Sequence, residues 1–147
     1  MKKYIAFSVL FIVVRVAFAQ SEVFATSDGA IHGYDAVAYF TEGKPVIGKK
    51  ENSFVWKEEK WYFSSQKNLK TFKSNPEKFA PQFGGYCAYG MSRGYKAKTD
   101  PDAWSIIDGK LYLNYNLDVK KIWSEKQSEF IEKATQNWPS VKSSKMK

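Results

Sequence analysis

A small, single α+β domain, with two β-hairpins covered by two or three helices, is the fold this sequence predicts. Three observations carry it. Two stretches alternate apolar and polar residues around a turn, and each is followed by residues at helical spacing. The chain has 147 residues, 17% of them aromatic, enough to bury one core without crosslinks.

The elements follow in chain order. Met1-Lys2-Lys3, the apolar run from Tyr4 to Val14 and Ala17-Phe18-Ala19 before Gln20 predict a signal peptide over residues 1–19. That run is 11 residues long, short of the roughly 20 a membrane-spanning helix needs. The expectation is therefore a periplasmic or secreted protein with no stable membrane anchor after cleavage. Residues 20–31 read as a polar lead-in, residues 32–139 as the domain and residues 140–147 as a flexible basic tail. Phe54 and Trp56 alternate on one segment and Trp61 and Phe63 on the next, with a charged turn over Lys57 to Lys60, which gives the first hairpin. "SSQKNLKTFKSNPEKFAP" supplies its covering helix, with Ser64 or Ser65 as N-cap and Pro76 as the stop. Residues 83–103, rich in glycine and tyrosine, read as an ordered loop. "AWSIID" and "KLYLNY" form the second hairpin around Asp108-Gly109, a dipeptide suited to a tight turn. Asn116 then caps one helix carrying Val119, Ile122, Trp123, Phe130, Ile131 and Ala134, closed by Trp138-Pro139.

Charge and cysteine content narrow the function. The formal net charge is +8, and without Lys2, Lys3 and Arg15 of the leader 20 basic residues face 15 acidic ones, about +5. This modest excess lies mostly in scattered lysines and reads as solvated surface, with no basic-aromatic motif for nucleic acid. One cysteine allows no internal disulfide.

"GYDAVAYFTEGKP", "WYFSSQKNLKTFKSNPEKFAPQFGGYCAYGMSRG" and "DPDAWSIIDGKLYLNYN" resemble the exported branch of YHS-domain proteins, over residues 32–124. The resemblance implies a compact α+β domain and, for the wider family, heavy-metal binding and a metal-transport partner. The wider family's cysteines are mostly missing. Ser64 and Asn68 stand where two of them would fall, so that thiolate site does not carry over. Ala36 also replaces the proline of the exported branch's Gly-Tyr-Asp-Pro motif. The context of Cys87, Gly-Gly-Tyr-Cys-Ala-Tyr-Gly, is intact.

Cys87 is the sharpest chemical feature, and three uses stay open for it. An unpaired thiol outside the cell is oxidised unless it is buried, coordinated or used. Burial treats it as a small hydrophobe. Coordination would bind copper or zinc, with His32, the only histidine, and Met91 as the available soft partners. Nucleophilic use would need His32 as base. Taken alone, His32 reads as a surface residue, Met91 as packing and Asp35 as a hydrogen-bond acceptor for amides of its own turn. The glycine and serine spacing of residues 85–92 mimics a phosphate loop, but Met91 stands in place of the lysine. The expectation is an exported binding protein without catalytic turnover, holding a soft metal at or near Cys87. The alternative is an aromatic-lined pocket for a small ligand or protein partner, drawn from Tyr34, Tyr86, Tyr89 and Tyr95 with Arg93 at its mouth.

Overall fold

The computed structural model describes residues 20–146, so the expected signal peptide lies outside the described residues. The chain folds as a mixed α+β domain with three antiparallel two-stranded sheets and six helices among the described residues. No helix among them is long and apolar enough to cross a membrane.

The first hairpin, β1 (Ala25–Thr26) with β2 (Gly29–Ala30), arises inside the polar lead-in. Its two-residue strands are too short to show alternation in the sequence. The lead-in is nevertheless core: Val23, Phe24, Ala30 and Ile31 are all buried. Ser21 is tied down from two sides, its carbonyl accepting from Lys96 Nζ at 3.1 Å and Tyr86 Oη at 3.0 Å. The last residues close over the same region. Lys142 pairs with Glu22 at 3.3 Å, and the Met146 amide donates to Gln20 Oε1 at 2.7 Å.

A short helix α1 (Ala38–Thr41) leads to the second hairpin, β3 (Lys49–Trp56) with β4 (Glu59–Phe63). Its turn is tighter than the four charged residues suggest. Only Lys57 and Glu58 lie outside the strands, both at positive φ, 49° and 66°, as the commonest two-residue hairpin turn requires. Trp61 and Phe63 point inward, 1% and 0% exposed, and Phe72 of α2 (Gln66–Ser74) stacks on Trp61 with ring centroids 5.1 Å apart. Burying these three rings stabilises the hairpin–helix unit by several kcal/mol, at about 1.5–3 kcal/mol per large apolar side chain. Ser65 is the N-cap, accepting from the Asn68 amide at 3.1 Å. Pro76 both ends this helix and opens α3 (Pro76–Phe79).

The segment expected as loop contains α4 (Ala88–Ser92), followed by the third hairpin, β5 (Trp104–Ile107) with β6 (Lys110–Leu113). Asp108 and Gly109 turn it at φ 52° and 73°. The single expected C-terminal helix is two: α5 (Leu117–Glu125), capped by Asn116, and α6 (Gln127–Val141). Lys126 breaks them at φ −138°. Pro139 does not close α6 but sits in its last turn, where it removes one amide donor from the helix.

Two apolar clusters result. One joins the second hairpin, α2, Tyr39 and Leu111; the other joins Tyr86, Met91, Tyr112 and Trp123 under α4, α5 and α6.

Candidate functional site

The tetrapeptide His32-Gly33-Tyr34-Asp35 divides its side chains between interior and surface. Asp35 is fully buried. Its Oδ1 accepts from the amides of Val37 at 2.9 Å and Ala38 at 3.2 Å, the role expected of it at the start of α1. Its Oδ2 accepts from the Ser64 amide at 2.8 Å, Ser64 Oγ at 2.7 Å and Asn68 Nδ2 at 2.8 Å. Five donors leave a buried carboxylate well compensated. Ser64 and Asn68, where the resemblance would place cysteines, thus join α1 to α2 through one carboxylate.

His32 faces the other way. Ile31, His32 and Gly33 all have positive φ, 45°, 58° and 76°, a conformation rare for a β-branched residue such as isoleucine. Ile31, 2% exposed, anchors the turn in the core, while His32 is half-buried. Phe24 meets the imidazole edge-on with centroids 5.2 Å apart. His32 Nε2 lies 2.8 Å from the Thr99 carbonyl. A carbonyl only accepts, so Nε2 carries the proton and the neutral ring has its lone pair on Nδ1.

That ring lines a cleft of about 500 Å³, together with Asp28, Tyr34, Ile47, Lys50, Tyr62 and Pro101. Tyr62 alternates with Trp61 and Phe63 on β4, so it must point outward when they point in. A Cβ on Gly29 would stand 2.6 Å from the Tyr62 ring, and one on Gly48 would overlap the Tyr62 backbone. Glycine at both positions lets Tyr62 lie close against the floor. The Tyr39 hydroxyl, donating to the Pro101 carbonyl at 2.9 Å, holds the opposite wall. A second cleft of about 320 Å³ adjoins the first, sharing His32 and Pro101 and adding Lys98, Thr99, Asp100 and Tyr115.

The expected metal set is distributed differently. Cys87 is 1% exposed and belongs to neither apolar cluster. Its thiol donates toward Asn114 Oδ1 at 3.6 Å and receives the Gly90 amide at 3.4 Å. Burial pushes this thiol up from its ordinary pKa, a shift only partly opposed by amides of Gly90, Tyr115 and Tyr89. Met91 is wholly buried in the second cluster, packed beneath the helices. His32 and Cys87 bond carbonyls two residues apart, Thr99 and Ala97, yet one opens to a cleft while the other is closed in. No group of three or more His, Cys, Asp or Glu residues placed to hold a metal occurs among the described residues.

Of the expected pocket residues, Tyr34 lines the main cleft. Tyr86, Tyr89, Arg93 and Tyr95 line neither cleft. Tyr86 is buried, with its hydroxyl on Ser21 and Lys96 Nζ 4.7 Å from its ring centroid, and its pKa is pushed up to about 12 by burial and then by Glu59. Tyr89 packs edge-on against Phe130, Tyr95 lies beside Gly90, and Arg93 is exposed at the end of α4. The cleft residues Asp28, Ile47, Lys50, Tyr62 and Pro101 were not singled out from the sequence. The one available signal was the outward register of Tyr62 between two core aromatics.

Searches against protein-family models, curated proteins and solved structures return no match to the chain.

Proposed function

We propose that the protein binds a small organic ligand in the cleft around His32, as a binding module without turnover. The left-handed Ile31-His32-Gly33 turn carries this reading. Strained backbone at non-glycine residues costs on the order of 1–3 kcal/mol each and persists where the surroundings over-determine it. Here it sets an imidazole with a fixed tautomer on the wall of a concavity lined by two tyrosines, a lysine and an aspartate. A mixed aromatic and polar lining of this size suits a small molecule. Residence outside the cytoplasm and kinship with YHS-type proteins belong to the same proposal, on the leader-like residues 1–19 and the blocks quoted above. The placement of the expected ligands argues against a thiolate metal centre built from them, because Cys87 is buried while His32 lines the cleft.

The test is a small-molecule screen by amide chemical-shift mapping on protein expressed from the full chain. The expected result is saturable shifts at His32, Tyr34 and Tyr62 that disappear in His32→Ala. Saturable shifts that cluster elsewhere, or none at all, would overturn the reading.

A further inference from the structure

We infer that the ligand is a short oligosaccharide lying across both clefts, with His32 and Pro101 at the junction. This rests on the cleft being a binding site, as proposed above, and adds the chemical class of what fills it.

Four observations point there. First, the two clefts have His32 and Pro101 in common and so adjoin at these residues, which lets one extended ligand reach both. Second, each holds one cation and one anion, Lys50 with Asp28 and Lys98 with Asp100, which leaves neither half with a net charge from these groups. A phosphate or polyanionic ligand would meet a carboxylate at either end, whereas hydroxyls, which both donate and accept, can use both members of each pair. Third, each cleft has an aromatic lining: half-buried Tyr34 and Tyr62 in the first, and in the second Tyr115, 42% exposed with Lys98 Nζ 5.5 Å from its ring centroid. Tyr62 is backed by Gly29, which fixes it as a platform. A pyranose has an apolar C–H face to lay on such rings and a hydroxyl rim to meet the charged pairs, so the alternation suits it.

Fourth, the backbone of the wall is already spent. The Gly48 amide donates to the Gly33 carbonyl at 2.9 Å and the Asp35 amide to the Val46 carbonyl at 2.8 Å, with Tyr34 and Ile47 bridged between them. A peptide adding as a strand would need those groups free. Recognition therefore falls to side chains, the mode that suits a sugar.

The test is amide chemical-shift and calorimetric titration of the protein, expressed from the full chain, with cellotriose, chitotriose and maltotriose, each beside its monosaccharide. Triglycine and a mixed set of small aromatic acids and amines serve as controls. The expected result is that one trisaccharide shifts residues of both clefts. Tyr115→Ala should weaken that trisaccharide about tenfold while leaving its monosaccharide within about twofold, and exposed Lys50→Ala should weaken both. Small aromatic probes shifting His32 and Tyr62 while no saccharide binds would overturn this inference and leave the cleft reading standing. Triglycine spanning both clefts would overturn it in favour of a peptide. No response from any probe at either cleft would overturn both.

Discussion

Asp35 and His32 stand three residues apart and end in opposite situations. The carboxylate is fully enclosed and takes five donors, while the imidazole spends one nitrogen on Thr99 and turns toward a cleft. The contrast separates polar groups that hold the fold from those left over for a partner. A buried charge is tolerated only when satisfied, so its partners are internal and its removal is costly. A half-buried ring held by one hydrogen bond and one ring contact contributes less to folding, and its place on the cleft wall is open to a partner.

Mutation of Asp35 should have the largest effect. Asp35→Ala strands the Ser64 and Asn68 donors and should cost about 3–5 kcal/mol in chemical denaturation. Asp35→Asn should be nearly as damaging, because one oxygen becomes a donor facing other donors. A loss under about 1 kcal/mol would show that the enclosed carboxylate is not the structural member of the pair.

Alkaline pH tests the interior more gently. Burial raises the Cys87 thiol and the Tyr39, Tyr86 and Tyr112 phenols, Tyr86 to about 12 from an ordinary 10.0. A raised acid keeps its proton when folded and loses it when unfolded. Its stabilisation is complete below the unfolded value and is lost as pH rises through the folded one. Lys96, lowered by desolvation, works in the opposite direction. With four groups against one, unfolding free energy should fall between about pH 9 and 12. Tyr86→Phe, followed by urea denaturation at several pH values, should flatten part of that fall.

Cys87→Ser should cost about 1–2 kcal/mol, since a hydroxyl can serve Asn114 and Gly90 but loses apolar volume. Native Cys87 should alkylate slowly and gain no thiol-dependent Cu(I) or Zn(II) binding. Stoichiometric binding lost in the serine variant would move Cys87 to the functional side of the comparison. The smallest stability change belongs to His32→Ala, within about 1 kcal/mol, for one hydrogen bond and one ring contact. The same substitution should abolish ligand-induced shifts in the cleft.

The sequence made local devices legible and distant ones not. The Asp108-Gly109 turn, the Asn116 cap and the acceptor role of Asp35 within its own turn all follow from short-range chemistry. The Ser64 and Asn68 bonds to that carboxylate bridge 29 and 33 positions and leave no periodic trace. The hairpin in residues 25–30 hides because two-residue strands cannot display a period of two. The break at Lys126 hides because apolar spacing continues across one non-helical residue. At the candidate site, His32 was visible as a lone histidine and Tyr34 as a nearby ring. Lys50, Tyr62 and Pro101 come from three separate parts of the chain and meet only after folding. Tyr86 and Tyr89, expected to line an aromatic pocket, pack against Phe24 and Phe130 instead.

The seam between residues 20–24 and the final helix bears on timing. Glu22 pairs with Lys142 and Gln20 with Met146, so residues 20–24 complete these contacts only once α6 and the residues after it are in place. Such long-range closure slows folding. These contacts should therefore form late in folding, after the local hairpins and helices.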